Sequence, residues 1–224
     1  MIEKAGAILL DIPWDPHAWS EKGKGRHPSA YYDVISLGEI KVLPVADHAA
    51  KDCSVFCWTT DQFLDFATYE LPRAWGCRYS SVAFVWIKTA RRFNRQPPLF
   101  LVGDNKDFPF GQGMTTRKGC EYCLLFRYGT FDRQDMGVAQ LILAPRRYNS
   151  QKPDEQYGLI ERLVNGPYLE FFARQRWPGW RQVFSNEADS GPGKRRWKVN
   201  LAVAQEGSSP CSLDQLQRSA ISTR

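Results

Sequence analysis

The sequence lacks the features by which several classes of protein are recognised. No apolar stretch approaches the roughly 20 residues that a membrane-spanning helix needs. The N-terminus has neither the basic region nor the long apolar region of a signal peptide. The G-x-G-x-x-G and Walker A phosphate-binding patterns are both missing, which argues against a plain nucleotide-binding protein. We therefore expect a soluble intracellular protein that has no membrane partner.

Histidine and cysteine are too few and too scattered to predict a metal site. The chain has 3 histidines and 6 cysteines, and Cys120 and Cys123 form one C-x-x-C pair without the second pair that a structural zinc site needs. Cys53, Cys57 and Cys123 alternate with apolar residues in strand-like runs. These are typical of reduced thiols in a hydrophobic core, so we expect no bound metal.

What the chain does contain is enough apolar material for one α/β domain and an excess of positive charge. Its 224 residues are 43% hydrophobic and 13% aromatic, which is typical of a folded domain. A net charge of +6 favours an anionic partner. The cations cluster beside aromatic residues in loops, as a groove for a phosphate backbone requires, although each cluster alone could be a solvated surface: Lys88, Arg91, Arg92 and Arg95; Arg117 and Lys118; and Lys194, Arg195 and Arg196.

Strand-like and helix-like segments alternate along the chain. We predict strands at residues 5–10, 53–58, 79–87, 121–128, 140–143 and 168–173, and helices at 36–43, at 59–75 and from 153 onward. This alternation predicts a mostly parallel, twisted sheet with helices on both faces. Long loops separate some of these elements, at 15–35 and 89–118. The composition shifts after Glu187, which indicates a domain over residues 1–187 and a basic, partly flexible tail over 188–224.

The segment Asp11-Ile12-Pro13-Trp14 combines a carboxylate, a proline turn and an indole directly after the first predicted strand. Open α/β sheets bind ligands at the carboxyl ends of their strands. A carboxylate and a main-chain carbonyl could accept the two amine protons of a planar base, and the indole could stack on its ring. Four residues alone would favour an ordinary proline-containing turn after a strand, so the downstream motifs decide.

An ordered set of motifs over residues 5–187 is similar to a known family. The set comprises Asp11-Ile12-Pro13-Trp14, Tyr32 with Ser36 to Ile40, Phe56 to Thr60, Val85 to Thr89, Gly113 to Arg117 with Glu121, Leu143 to Arg147, Lys152 to Tyr157, Ile160 to Leu163, Leu169 to Arg174, Gly179-Trp180 and Asn186-Glu187. It resembles the β-class N6-adenine methyltransferases of the MT-A family, which are related to the catalytic subunit of the eukaryotic messenger-RNA adenosine methyltransferase. The resemblance implies a Rossmann-like methyltransferase fold with circularly permuted motif order over residues 1–187, and S-adenosylmethionine as cofactor.

The resemblance also implies roles for individual residues. Asp11, Ile12, Pro13 and Trp14 would hold the adenine and its amine. Asp11, Lys152, Arg174, Arg176, Asn186 and Glu187 would bind the cofactor, with Lys152 on its carboxylate and Asn186 and Glu187 at its ribose. Tyr32, Lys88, Arg91, Arg92, Arg117 and Glu121 would line the substrate side. Ile12 stands where close relatives have proline.

Three functions remain open from the sequence. The first is an adenine methyltransferase acting on DNA, of bacterial or phage type, in the cytoplasm of a bacterium or of an infected host cell. An RNA substrate is the nearest alternative, and a catalytically silent nucleic-acid-binding subunit is another. The retained Asp11, Pro13 and Trp14 argue against a silent subunit. A homodimer or a heterodimer is compatible with each of the three.

Overall fold

A seven-stranded sheet forms the centre of the fold. The structure, a computed structural model, describes residues 3–15, 33–91, 108–109, 111, 115–147, 151–185 and 198–199. The strand order is β5-β3-β4-β2-β1-β6-β7. These strands are β1 (Ala5–Leu10), β2 (Ala49–Thr59), β3 (Arg78–Thr89), β4 (Cys120–Tyr128), β5 (Leu141–Pro145), β6 (Tyr168–Phe171) and β7 (Trp180–Gln182). A separate pair consists of β8 (Phe184–Ser185) and β9 (Lys198–Val199).

Six of these seven strands run in the same direction. Strand β1 is parallel to β2 and β6, β6 is parallel to β7, and β3 is parallel to β5. Strand β4 is antiparallel to both of its neighbours, β2 and β3. The predicted mostly parallel sheet is therefore confirmed, with one reversed strand near one side.

Helices cover both faces of the sheet, as predicted. They are α1 (Leu37–Lys41), α2 (Val45–His48), α3 (Leu64–Trp75) and α4 (Glu155–Leu163). One hydrophobic core joins Ile40 of α1 and Leu71 of α3 to the sheet, and the other core places Tyr157 and Ile160 of α4 against the opposite face. The buried cysteines Cys53, Cys57 and Cys123 lie in these cores as free thiols, as expected.

The order in which the chain adds strands to the sheet reverses between β1 and β6, two adjacent parallel strands. From β1 the chain continues to β2 on one side, whereas β6, on the other side of β1, leads to β7. At such a point the connections after the two strands diverge and leave a crevice at the carboxyl edge, where α/β proteins bind ligands. Asp11 follows β1 directly and Arg174 lies shortly after β6, so both stand at this crevice.

Local sequence explains the ends of several helices. The Ser36 hydroxyl accepts a hydrogen bond from the Glu39 amide, and the Glu39 carboxylate accepts one from the Ser36 amide, which is the expected capping box at the start of α1. Helix α3 ends at Gly76, whose φ of 67° is the left-handed conformation that glycine adopts easily. Its start differs from prediction, because Thr60 makes no side-chain cap and a 3₁₀ turn, Asp61–Phe63, precedes the helix. Helix α4 starts after Asp154 and not at Pro153.

The elements that sequence reasoning missed are short. Helix α2 and strand β7 have 4 and 3 residues, too few for a hydrophobic period to show. Strand β6 ends at Phe171 and not at residue 173, because Phe172 has a φ of 63° and turns the chain out of the strand. Most of the loops predicted at 15–35 and 89–118 lies outside the described residues. So does the predicted tail, except for β9.

Among the described residues, none of the helices has the length and hydrophobicity to span a membrane.

Replacement of Gly6 in β1 by alanine is expected to destabilise the fold. A Cβ at this position would lie 2.7 Å from the main-chain oxygens of both Asn165 and Gly166, so backbone must move, at a cost of about 1–3 kcal/mol. Gly158→Ala is the matched control, because a Cβ there meets nothing within 4 Å and alanine favours a helix. Urea unfolding of both variants would test this, and equal stabilities would contradict it.

Candidate active site

Five elements bring charged side chains to the carboxyl edge of the sheet. Asp11 follows β1, Arg174 follows β6, and Lys88 lies near the end of β3. Glu121 lies at the start of β4, which reaches the same edge because β4 is reversed. Lys152 precedes α4. Residues scattered over more than 80 positions of the sequence, from Lys88 to Arg174, thus meet Asp11 in one place.

Asp11 is held by two cations. Its Oδ1 lies 2.7 Å from the Nζ of Lys152, and its Oδ2 lies 3.2 Å from the Nε of Arg174. The first contact is an aligned hydrogen bond, whereas the second is an ion pair by distance alone. Asp11 and Lys152 are each only 6% exposed. A carboxylate this deeply buried requires such partners.

Lys152 also contacts Glu121, which extends the cluster to Lys88. The Nζ of Lys152 lies 3.1 Å from one oxygen of Glu121, and the Nζ of Lys88 lies 2.5 Å from the other. Burial raises the pKa of Glu121, but the charges of Lys152 and Lys88 outweigh it and lower the pKa to about 2. Burial lowers the pKa of Lys152, but Asp11 and Glu121 raise it above its ordinary value. Both groups are therefore charged at neutral pH.

A second buried carboxyl group has the opposite character. Glu170 in β6 is 3% exposed, and both of its oxygens lie 3.1 Å from the hydroxyl of Tyr157. Burial raises the pKa of Glu170 to about 8, the Tyr157 hydrogen bond opposes this rise, and Asp11 adds to it. Glu170 is therefore mostly protonated at pH 7, next to a cluster of charged groups. The sequence analysis included Glu170 in the motif Leu169 to Arg174 but assigned it no role in the site, since it lies within an apolar strand.

The motif at residues 11–14 is fixed by its own backbone and by Trp58. The carbonyl of Ile12 accepts a hydrogen bond from the Trp14 amide at 2.9 Å, and the carbonyl of Pro13 accepts one from Ile35 at 3.1 Å. The indole of Trp14 donates to the carbonyl of Trp58 at 2.9 Å. A carbonyl has a second lone pair, so the role of Ile12 and Pro13 as amine acceptors stays a prediction.

The indole of Trp14 packs inward in the structure. It is 7% exposed and stacks on Phe63, with ring centroids 4.7 Å apart and planes inclined by 16°. One face of the ring is therefore occupied by the protein itself. Stacking of Trp14 on a substrate base stays a prediction, and the base would have to stack on the other face of the indole.

Trp58 links this motif to helix α4. Its indole donates a hydrogen bond to the Oε1 of Gln156 at 2.6 Å, and the Lys152 ammonium lies 5.9 Å from its ring centroid. Neither Trp58 nor Gln156 was predicted as part of the site, although Gln156 follows Lys152 by only four positions. The two residues place the start of α4 against the motif.

The other predicted site residues are more peripheral or lie outside the described part of the chain. Arg91, Arg117 and Arg176 are exposed. Tyr32, Arg92, Asn186 and Glu187 lie outside the described residues, so their roles stay predictions. In the ranges that the structure describes, no group of three or more His, Cys, Asp or Glu side chains is placed to hold a metal ion.

Comparison with known proteins identifies the family to which this chain belongs. A family model described as MT-A70 matches residues 6–185, well over half of the chain. The chain belongs to the MT-A70 family. The predicted family and its Rossmann-like methyltransferase fold are thereby confirmed.

Three relatives illustrate the range of this family. The chain is 28% identical over 199 residues to the type II methyltransferase M.MunI of Mycoplasma sp, covering 80% of this chain and 76% of that enzyme. It is 28% identical over 185 residues to an N(6)-adenosine-methyltransferase MT-A70-like protein of Drosophila melanogaster, covering 80% of this chain and 26% of the relative. Human METTL3, an N(6)-adenosine-methyltransferase catalytic subunit, is 28% identical over 187 residues, covering 80% and 28%. The chain therefore spans about three quarters of the first relative and about a quarter of the others.

Membership supports the predicted reaction at a coarse level. The family methylates adenine in nucleic acid and uses S-adenosylmethionine.

Glu170→Gln is expected to flatten the pH dependence of stability. The pKa of Glu170 is raised in the folded state from 4.5 to about 8, so stability present below pH 4.5 is lost as pH rises toward 8, by several kcal/mol. Glutamine mimics the protonated acid and does not titrate. Denaturant unfolding of both proteins between pH 5 and pH 9 would measure the difference, which should grow with pH in favour of Glu170→Gln.

The exposed Glu155→Gln supplies the control for loss of one carboxylate from this region. If the stability of Glu170→Gln and that of the unaltered protein changed in parallel between pH 5 and pH 9, Glu170 would be ionised in the folded protein over this whole range. That result would contradict the prediction.

Proposed function

We propose that this chain transfers a methyl group from S-adenosylmethionine to the exocyclic amine of adenine in DNA. The observation that carries the proposal is the buried carboxylate Asp11, held by Lys152 and Arg174 at the β1–β6 crevice of an MT-A70 family member. A carboxylate at this position can accept a hydrogen from an amine, and the crevice is the place where the fold binds ligands.

The residues at the crevice fit the cofactor. S-adenosylmethionine carries a carboxylate, and Lys152 is a buried cation with its pKa raised, so it stays charged. Lys152 would hold that carboxylate, Arg174 and Arg176 would lie beside the cofactor, and Asn186 and Glu187 would bind its ribose hydroxyls. When bound, S-adenosylmethionine supplies a methyl group activated by a positively charged sulfur.

Catalysis by this chain would consist mainly of positioning. The amine of adenine is a weak nucleophile because its lone pair is delocalised into the ring. Asp11 would accept a hydrogen bond from one N–H of the amine, and the carbonyl of Ile12 or Pro13 would accept a hydrogen bond from the other. These two hydrogen bonds favour a tetrahedral nitrogen with its lone pair free. The ion pairs with Lys152 and Arg174 fix the Asp11 carboxylate before substrate arrives, and such preorganisation lowers the barrier.

DNA is favoured over RNA by the extent of the similarity to M.MunI. That match covers 76% of a type II methyltransferase, whereas the matches to the adenosine methyltransferases cover about a quarter of each. RNA is the second candidate, because human METTL3 matches the same share of this chain. The silent-subunit alternative is disfavoured by the retained Asp11 and the two cations that hold it.

Incubation with radiolabelled S-adenosylmethionine should place label on adenine in double-stranded DNA. Asp11→Asn keeps the shape of the side chain but lacks the negative charge, so transfer should fall by at least about 100-fold, in the range of a lost preorganised polar contact. The measurement is label per adenine after nucleoside digestion, with DNA and RNA of the same sequence compared.

Several results would overturn parts of this proposal. Label on cytosine would reject adenine as the target, and label on RNA alone would reject DNA. Full activity of Asp11→Asn would remove Asp11 from the reaction.

Charge reversal at Arg91 and Arg92 should weaken DNA binding and reduce its salt dependence. Each phosphate contact that is lost should reduce the slope of log affinity against log salt by about 0.9. Arg133→Glu, at an exposed position outside the predicted substrate side, is the control for net charge. Filter binding at several salt concentrations would test this, and an unchanged slope would assign Arg91 and Arg92 to solvated surface.

A further inference from the structure

The two cations that hold Asp11 come from different segments of the chain, and one glutamine joins these segments. Lys152 lies in the segment 151–154 before α4, and Arg174 lies in the segment that follows β6. Gln175 is next to Arg174, and its side chain makes two hydrogen bonds to the Lys152 segment. It accepts one from the Nε2 of Gln151 at 2.9 Å and donates one to the Oδ1 of Asp154 at 2.6 Å.

We propose that Gln175 is a positioning residue for the cofactor site. By joining Gln151 to Asp154 on either side of Lys152, it sets the separation between Lys152 and Arg174. This inference rests on the proposed function, since it takes S-adenosylmethionine to be the ligand that Lys152 and Arg174 bind.

Further contacts hold Gln175 and Asp154 in place. The main-chain carbonyl of Gln175 accepts a hydrogen bond from Gln182 of β7 at 2.7 Å. The other carboxylate oxygen of Asp154 accepts one from the guanidinium of Arg147 at 2.7 Å. Arg147 also donates to the carbonyl of Lys152 at 3.3 Å. The network is therefore anchored on the segments after β5 and β6 and on β7, and its centre is the bond between Gln175 and Asp154.

The bond to Asp154 has the strength of a contact with a charged group. Burial raises the pKa of Asp154, but the hydrogen bonds from Arg147 and Gln175 lower it below its ordinary value. Hydrogen bonds to charged groups contribute more than neutral ones. Loss of the Gln175 amide would remove one of them and free two segments to move apart, and small displacements of charged groups are costly at a binding site.

Sequence reasoning assigned Arg174 and Arg176 to the cofactor and passed over the residue between them. Gln175 carries no charge, and its contacts with Gln151 and Asp154 are 24 and 21 positions away in the chain. No local pattern marks such a residue.

Binding of S-adenosylhomocysteine, which keeps the cofactor carboxylate, tests the inference by calorimetry on the full chain. Gln175→Leu should weaken binding about tenfold or more, as expected for a lost hydrogen bond to a charged group. In methyl transfer the KM for S-adenosylmethionine should rise more than kcat falls. Gln140→Leu is the matched control, because it removes one glutamine hydrogen bond, to the Val82 carbonyl, away from this network.

A paired exchange separates positioning from general damage to the fold. Gln175→Glu places a second carboxylate against Asp154, so binding should weaken at least as much as in Gln175→Leu. Adding Asp154→Asn restores a donor and an acceptor in exchanged positions, because the new amide can donate to residue 175 while its carbonyl accepts from Arg147. We expect the double variant to bind within about threefold of the unaltered protein, since the exchanged hydrogen bond offsets the loss.

Any of three outcomes would overturn this inference. Binding by Gln175→Leu equal to that of the unaltered protein would overturn this inference alone. Failure of the double variant to recover while its thermal stability matches that of the unaltered protein would overturn it too. Absence of binding by the unaltered protein would overturn the proposed function and this inference with it.

Discussion

The buried ion pair between Asp11 and Lys152 is the contact on which the rest of the site depends. A carboxylate and an ammonium that are each 6% exposed lose most of their hydration, and only close pairing and further hydrogen bonds offset that loss. The chain meets this requirement with Arg174 on the other oxygen of Asp11 and Glu121 on the other side of Lys152. Removing any one of these charges would leave a neighbouring charge with one partner fewer.

The strand order makes this cluster possible. Asp11 and Arg174 stand at the ends of adjacent parallel strands that lead away in opposite directions, so their side chains meet in a crevice rather than under a connection. Glu170 lies in β6, the strand that precedes Arg174. It is mostly protonated at neutral pH, because burial raises its pKa to about 8. A third negative charge, besides Asp11 and Glu121, is thereby avoided in the cluster.

The sequence was informative where the chain is periodic or carries a motif, and silent where function depends on distant contacts. Strand β1 and helix α3 follow from an apolar run and an amphipathic pattern. The motif placed Asp11 correctly at the carboxyl edge, but its bond to Lys152 spans 141 positions, which no local pattern encodes. Trp14 looked like an available stacking surface, whereas packing against Phe63 is a property of the tertiary structure alone.

The reversal of β4 has a consequence for the connection between β3 and β4. Strand β3 ends at Thr89 and β4 begins at Cys120, and both of these ends lie at the ligand-binding edge, where the Lys88 amide bonds to the Gly119 carbonyl at 2.9 Å. Insertions or deletions between the two strands would therefore start and end at this edge and leave the strand register intact. Since lengthening a connection costs little free energy, the length of this stretch can vary without disturbing the ion pairs of Asp11 with Lys152 and Arg174.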